Sequence, residues 1–120
     1  MPDPIGAIVK ANLPETRPSG VEQARPRPVV IVGVPELVAG QKYPGLIVVP
    51  FSSKVHKYGA YDRALYPIVA EGVGGLTTAS VALCPQVRFI GRERLGSYLG
   101  HLPPDELEQI RATLRTMFHL

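Results

Sequence analysis

The 120-residue sequence has no tryptophan, one cysteine and only ten acidic side chains. A lone cysteine, Cys84, excludes an internal disulfide and any multi-cysteine zinc site. The three histidines, His56, His101 and His119, are widely spaced and have no acidic or cysteine neighbours at ligand spacing, so no metal or other cofactor is expected. The acids are not paired as a two-carboxylate hydrolase requires. No apolar run approaches the ~20 residues of a membrane-spanning helix, because proline, glycine or a charge interrupts each one. The opening Met1-Pro2-Asp3-Pro4 lacks the basic stretch and apolar core of a signal peptide, so a soluble cytoplasmic protein is expected. Gly72-Val73-Gly74-Gly75 has neither the lysine nor the strand–helix setting of a phosphate-cradling loop, which makes a nucleotide hydrolase a poor reading.

Proline and glycine are abundant instead: 13 and 12 residues, about a fifth of the chain where about an eighth is usual. Such density suits short strands joined by many turns, as in barrels and sandwiches, and not a helix bundle. With 45% hydrophobic residues, the chain is expected to form one domain, 1–120, around one core. A net charge of +3 is compatible with nucleic acid but does not by itself identify a partner.

Along the chain, Ile5 to Leu13 reads as a first strand and Pro14 to Arg27 as a loop. Pro28 to Val34 is a β-branched run that reads as a strand buried on both faces. Pro35 to Pro44 is a turn region, and Leu46 to Phe51 is another buried strand. Ser52 to Arg63 is a long, basic and aromatic loop, of a length that is commonly functional. Tyr66 to Ala70 reads as a short strand, and Ser80 to Cys84 and Gln86 to Ile90 as two strands or one bent strand with Pro85 between them. Leu107, Ile110, Leu114 and Met117 share one helical face. Pro104, Asp105 and Glu106 fit the first turn of that helix, and Arg111 and Arg115 lie toward its end. The expected fold is mainly β: five to seven short strands in a barrel, with a C-terminal α-helix.

The strongest local chemistry lies in Gly20 to Arg27 together with Ser52 and Ser53 at a strand end. Cleaving a phosphodiester without metal needs a base for the attacking 2′-hydroxyl, a cation for the developing oxyanion and a donor for the leaving 5′-oxygen. Arginine supplies a bidentate phosphate contact, glutamate can act as base, and a serine hydroxyl can donate to phosphate. Arg25, Lys54, His56, Lys57, Tyr58, Tyr61 and Arg63 add positive charge and stackable rings on neighbouring segments. The core reading suits the helix stripe and Cys84, and His101 reads as a packed or surface residue.

Gly20-x-Glu22-Gln23 followed by Arg27-Pro28 and a valine-rich strand resembles the opening motif of the MazF/PemK (Kid) toxin family. Val48-Val49-Pro50-Phe51-Ser52-Ser53 is similar to that family's strand ending in threonine or serine. Gly72 to Val81, then Cys84-Pro85-Gln86-Val87-Arg88-Phe89-Ile90 with Arg94-Leu95, then Gly100-His101-Leu102-Pro103 continue the likeness over nearly the whole chain. The resemblance implies an SH3-like, CcdB/Kid-type barrel that forms a homodimer. It also implies a sequence-specific, metal-independent endoribonuclease, an mRNA interferase that leaves a 2′,3′-cyclic phosphate and a 5′-hydroxyl and is blocked by a cognate antitoxin. Carried over by motif, Arg27 is the catalytic cation, Ser52 the assisting hydroxyl and Glu22 the base or loop organiser. Gln23, Arg25, Ser53, Lys54, His56, Lys57, Tyr58, Tyr61 and Arg63 are then the RNA contacts, with single-stranded RNA between the segments 14–27 and 53–63.

Three positions depart from the family pattern: Val21, where some members have histidine, and Leu83 and Pro85, where PemK-like members have arginine and aspartate. A His/Arg/Asp mechanism is thereby excluded, leaving an Arg/Ser version. A CcdB-like gyrase poison and a catalytically degenerate RNA- or partner-binding homologue are the alternatives.

Overall fold

The computed structural model describes residues 3–14, 25–59 and 64–120. Seven strands are β1 (Ala7–Leu13), β2 (Arg25–Gly33), β3 (Gly45–Ser52), β4 (Ile68–Val69), β5 (Ser80–Ala82), β6 (Arg88–Gly91) and β7 (Leu95–His101). Three α-helices accompany them: α1 (Pro35–Ala39), α2 (Val55–Gly59) and α3 (Pro104–Phe118). The strands form one curled antiparallel sheet in the order β4-β5-β3-β2-β1-β7, and β6 also pairs with β3. The result is a half-barrel with a C-terminal helix. No helix among the described residues is long and apolar enough to cross a membrane.

Strand alternation sorts the core into two faces. Ala7, Val9, Ala11, Leu13, Val29, Ile31, Leu46, Val48 and Ile90 pack together on one face. Ile8, Val30, Val49 and Phe51 face the other way and meet Leu102 and Ile110, with Leu107, Leu114 and Met117 partly buried against them. The spaced apolar positions of the C-terminal segment thus dock α3 onto the sheet, as the sequence predicts. Pro104 opens that helix, and His119, in the left-handed conformation, closes it by donating its N–H to the Arg115 and Thr116 carbonyls.

Five segments differ from the sequence reading. Strand β2 begins at Arg25, inside the predicted loop, because the residues preceding Pro26 and Pro28 favour extended backbone and pair directly with β1. One helical turn, α1, occupies part of the predicted turn region 35–44, and another, α2, part of the predicted loop 52–63. Cys84–Gln86 forms a 3₁₀ turn, so β6 starts at Arg88. Strand β7 has no counterpart in the reading, since Gly96 and Gly100 interrupt any recognisable pattern.

Candidate active site

The site arises where two neighbouring strands part. Strands β2 and β3 are paired from Gly33–Ile47 to Val29–Pro50. Beyond that rung, β2 stays with β1 through Lys10–Pro28, Ala11–Arg27, Asn12–Pro26 and Leu13–Arg25. Strand β3 instead stays with β5, through Phe51–Ala82 and Ser52–Val81. Proline chemistry explains the parting. The Pro50 carbonyl accepts the Leu83 N–H on the β5 side. Alternation therefore turns the Phe51 carbonyl toward β2, where its register partner is Pro28, which has no N–H to donate.

The fork holds a cleft of about 170 Å³ lined by Arg27, Pro28, Phe51, Ser53, Leu76, Thr77, Thr78 and Ser80. Arg27 is half-buried, and its Nε is buried with no hydrogen-bond partner among the described residues. A guanidinium N–H left unpaired in a protein interior is costly unless something that visits the site accepts it. Among the described residues the rest of the lining is uncharged: four hydroxyls over an apolar floor of Pro28, Phe51 and Leu76. The Ser80 hydroxyl is committed to the Thr78 carbonyl at 3.0 Å.

Ser52 is 6% exposed, and its Oγ accepts the Lys54 N–H at 3.2 Å. That bond organises the turn carrying Ser53 and Lys54 and leaves the hydroxyl proton of Ser52 free to be donated. Continuing the β2–β3 register past Val29–Pro50 sets Ser52 opposite Arg27. Lys54, His56 and Lys57 are exposed at and just before α2, which follows Ser53 of the cleft lining in the chain. Tyr58, on the same turn, is turned inward. It is 6% exposed in a small cluster with Val81 and Leu83, and its ring lies 5.5 Å from that of Tyr66. Its ring is used in packing, with no free face for a base.

The backbone of Arg25 belongs to β2. Glu22, Gln23, Tyr61 and Arg63 lie outside the described residues. The sequence reading missed Thr77, Thr78 and Ser80. They reach Arg27 only because β5 runs along the far edge of β3, and no local pattern signals that.

Other reactive groups are accounted for elsewhere. Burial pushes the Cys84 thiol up to about 12, which makes it an inert core residue. His101 places its ring nitrogens 3.1 Å from the Leu102 and Asp3 carbonyl oxygens, tying β7 to the N-terminal segment. Among the described residues no three His, Cys, Asp or Glu side chains converge.

Comparison with known proteins agrees with this architecture. The model of the family described as PemK-like, MazF-like toxin of type II toxin-antitoxin system matches residues 5–118. The structure is similar to the Mycobacterium tuberculosis toxin MazF-mt6, with a TM-score of 0.69 and 23% identity over 95% of this chain and 97% of that one. It is similar to MazF from Deinococcus radiodurans, with a TM-score of 0.72 and 21% identity over 96% and 94% of the two chains. A mycobacterial endoribonuclease in complex with its cognate antitoxin matches at a TM-score of 0.66 and 18% identity, over 97% and 92%. With the family match spanning almost its whole length, this chain belongs to the PemK-like, MazF-like toxins of type II toxin-antitoxin systems.

Proposed function

We propose that this chain is a sequence-specific, metal-independent endoribonuclease that cuts single-stranded RNA, acts as a cytoplasmic homodimer and is held in check by a cognate antitoxin. The observation that carries the reading is the buried Nε of Arg27, without a partner among the described residues, in a cleft that those residues otherwise line with hydroxyls and apolar groups. A phosphodiester satisfies that donor, and among the described lining residues Arg27 is the cation for the charge that develops on phosphorus oxygens. Family membership and the likeness to a mycobacterial endoribonuclease bound to its antitoxin support the same reading.

In this mechanism the RNA 2′-oxygen attacks the adjacent phosphorus and loses its proton to Glu22. Arg27 binds the non-bridging oxygens, and the Ser52 hydroxyl donates to the phosphate beside it. The bond to the 5′-oxygen breaks, that oxygen takes up a proton from water, and the products are a 2′,3′-cyclic phosphate and a 5′-hydroxyl. Lys54, His56 and Lys57 hold the flanking backbone electrostatically. The reaction consumes the 2′-hydroxyl at the cut nucleotide. One deoxy substitution there abolishes cleavage at that bond and leaves other sites intact, with end-group analysis finding only cyclic phosphates. Cleavage of the substituted bond, or 5′-phosphate products, contradicts the mechanism.

A further inference from the structure

A second groove lies on the other side of β2 from the Arg27 cleft, and no role has yet been given to it. It has a volume of about 300 Å³ and is lined by segments of β1, β2 and β7 together with Glu93 and Arg94. A β-bulge makes it. In the β1–β7 pairing, Val9 faces Tyr98 and Ala11 faces Leu95, so Lys10 alone stands opposite both Gly96 and Ser97. Such two-against-one pairing bends the longer strand away and re-aims the side chains around it. The absence of a side chain at Gly96 lets its backbone lie close to the Lys10 carbonyl.

Charge and position both connect this groove to the cleft. Lys10 is exposed, and Arg94 is fixed by donating from Nη1 to the Asn12 carbonyl at 3.2 Å. Among the described lining residues these two cations outnumber the one acid, Glu93. The register puts Lys10 beside Pro28 and Asn12 beside Pro26. Pro28 lines the Arg27 cleft and Pro26 lines the groove, so the two hollows are neighbours across one strand pair. Cross-strand partners stand only ~5 Å apart, so a chain emerging from the cleft over Pro28 reaches Lys10 directly.

We infer that the bulged groove carrying Lys10 and Arg94 is a second anchoring site for the sugar–phosphate backbone of the RNA strand cut at Arg27. The strand then enters past Lys54 and Lys57, crosses the fork and leaves over β1, with the exposed side chains of Asn12 and Ser97 able to meet ribose hydroxyls. This extends the ribonuclease reading and rests on it for the identity of the strand.

The test is equilibrium binding of fully 2′-O-methylated oligonucleotides, which cannot be cut, at lengths of about three and about ten nucleotides over a salt series. Lys10→Ala is expected to weaken the longer strand several-fold and to lower its log–log salt slope by about 0.7, the loss of one phosphate contact. The short strand is expected to bind unchanged. Lys10→Glu should enlarge the effect on the long strand, and Arg111→Ala, on the exposed side of α3, should give none. The groove assignment fails if Lys10→Ala leaves the long strand's affinity and slope unchanged, if both lengths weaken equally, or if the wild-type chain binds neither. Cleavage of unmodified RNA is scored separately. A chain that cuts nothing yet shows the Lys10 dependence overturns the ribonuclease reading and keeps the groove.

Discussion

Val29 and Pro50 form the last rung that β2 and β3 share. One residue further, the register calls for Pro28 to donate an N–H that it does not have, and the strands separate around the cleft that holds Arg27. A proline inside a sheet is usually a defect confined to edges and bulges. Here the missing donor makes room for the site.

Restoring that donor should close the fork. Pro28→Val keeps the β-branched character of the strand and supplies the missing N–H. One added backbone hydrogen bond and the lost rigidity of proline are each worth about 1 kcal/mol and act in opposite directions. The expected result is a melting temperature near wild type with cleavage reduced at least tenfold. Unchanged cleavage would separate the cleft from the proline.

The far wall of the cleft, Leu76 to Ser80, is held by glycines that admit close backbone approach. Gly75 has φ +83°, and a Cβ there would meet the Leu99 carbonyl of β7. Gly75→Ala combines a left-handed backbone penalty with overpacking, for a combined cost of about 3 kcal/mol. Denaturant unfolding should register that loss. Cleavage should fall even at low temperature, where the variant is folded, because the wall carrying Thr77 and Thr78 has shifted.

How much of this was legible in the sequence depends on range. Helix α3 announced itself through Leu107, Ile110 and Leu114, because amphipathic spacing is a local property. Strands β2 and β3 did so through β-branched runs. Strand β7 did not, since its exposed and half-buried residues alternate with nothing and two glycines break it. Arg27, Ser52 and Ser53 are singled out as candidates by motif resemblance. Thr77, Thr78 and Ser80 were not, because sheet order alone brings them to Arg27. The basic setting of Tyr58 suggests an RNA contact, whereas in the fold its ring packs with Val81 and Leu83, which no local pattern signals.

Ser52 and Ser53 are adjacent but have separable roles. Ser52→Ala removes the acceptor of the Lys54 N–H and the proton offered to phosphate. It should cost about 1 kcal/mol of stability and lower kcat at least tenfold. Ser53→Ala touches only the exposed lining and should act mainly on KM, without a change in melting temperature. Single-turnover kinetics on both variants distinguishes the two. Equal effects would contradict the division.

Cys84 should make itself felt only in alkali. Its folded-state value, near 12, stands above the ordinary 9.0. Below pH 9 both folded and unfolded chains hold the proton, so the thiol adds no pH dependence. Between pH 9 and about 12 only the unfolded chain releases it, and stability declines by up to ~1.4 kcal/mol per pH unit. Cys84→Ala should flatten that decline while costing about 1 kcal/mol at neutral pH. A thiol reagent should leave the native wild-type protein unlabelled.

The central claim is that Arg27, whose buried Nε has no hydrogen-bond partner among the described residues, binds the phosphate being cleaved. Cleavage of a long single-stranded RNA in EDTA, by wild type beside Arg27→Ala and Arg27→Lys, tests it most directly. Wild type should cut at a few defined sites without metal. The alanine variant should be slower by about 10²–10³, and lysine, a charge without the planar fork, should recover little of that loss. Defined-site cleavage that survives Arg27→Ala would place the chemistry elsewhere in the molecule.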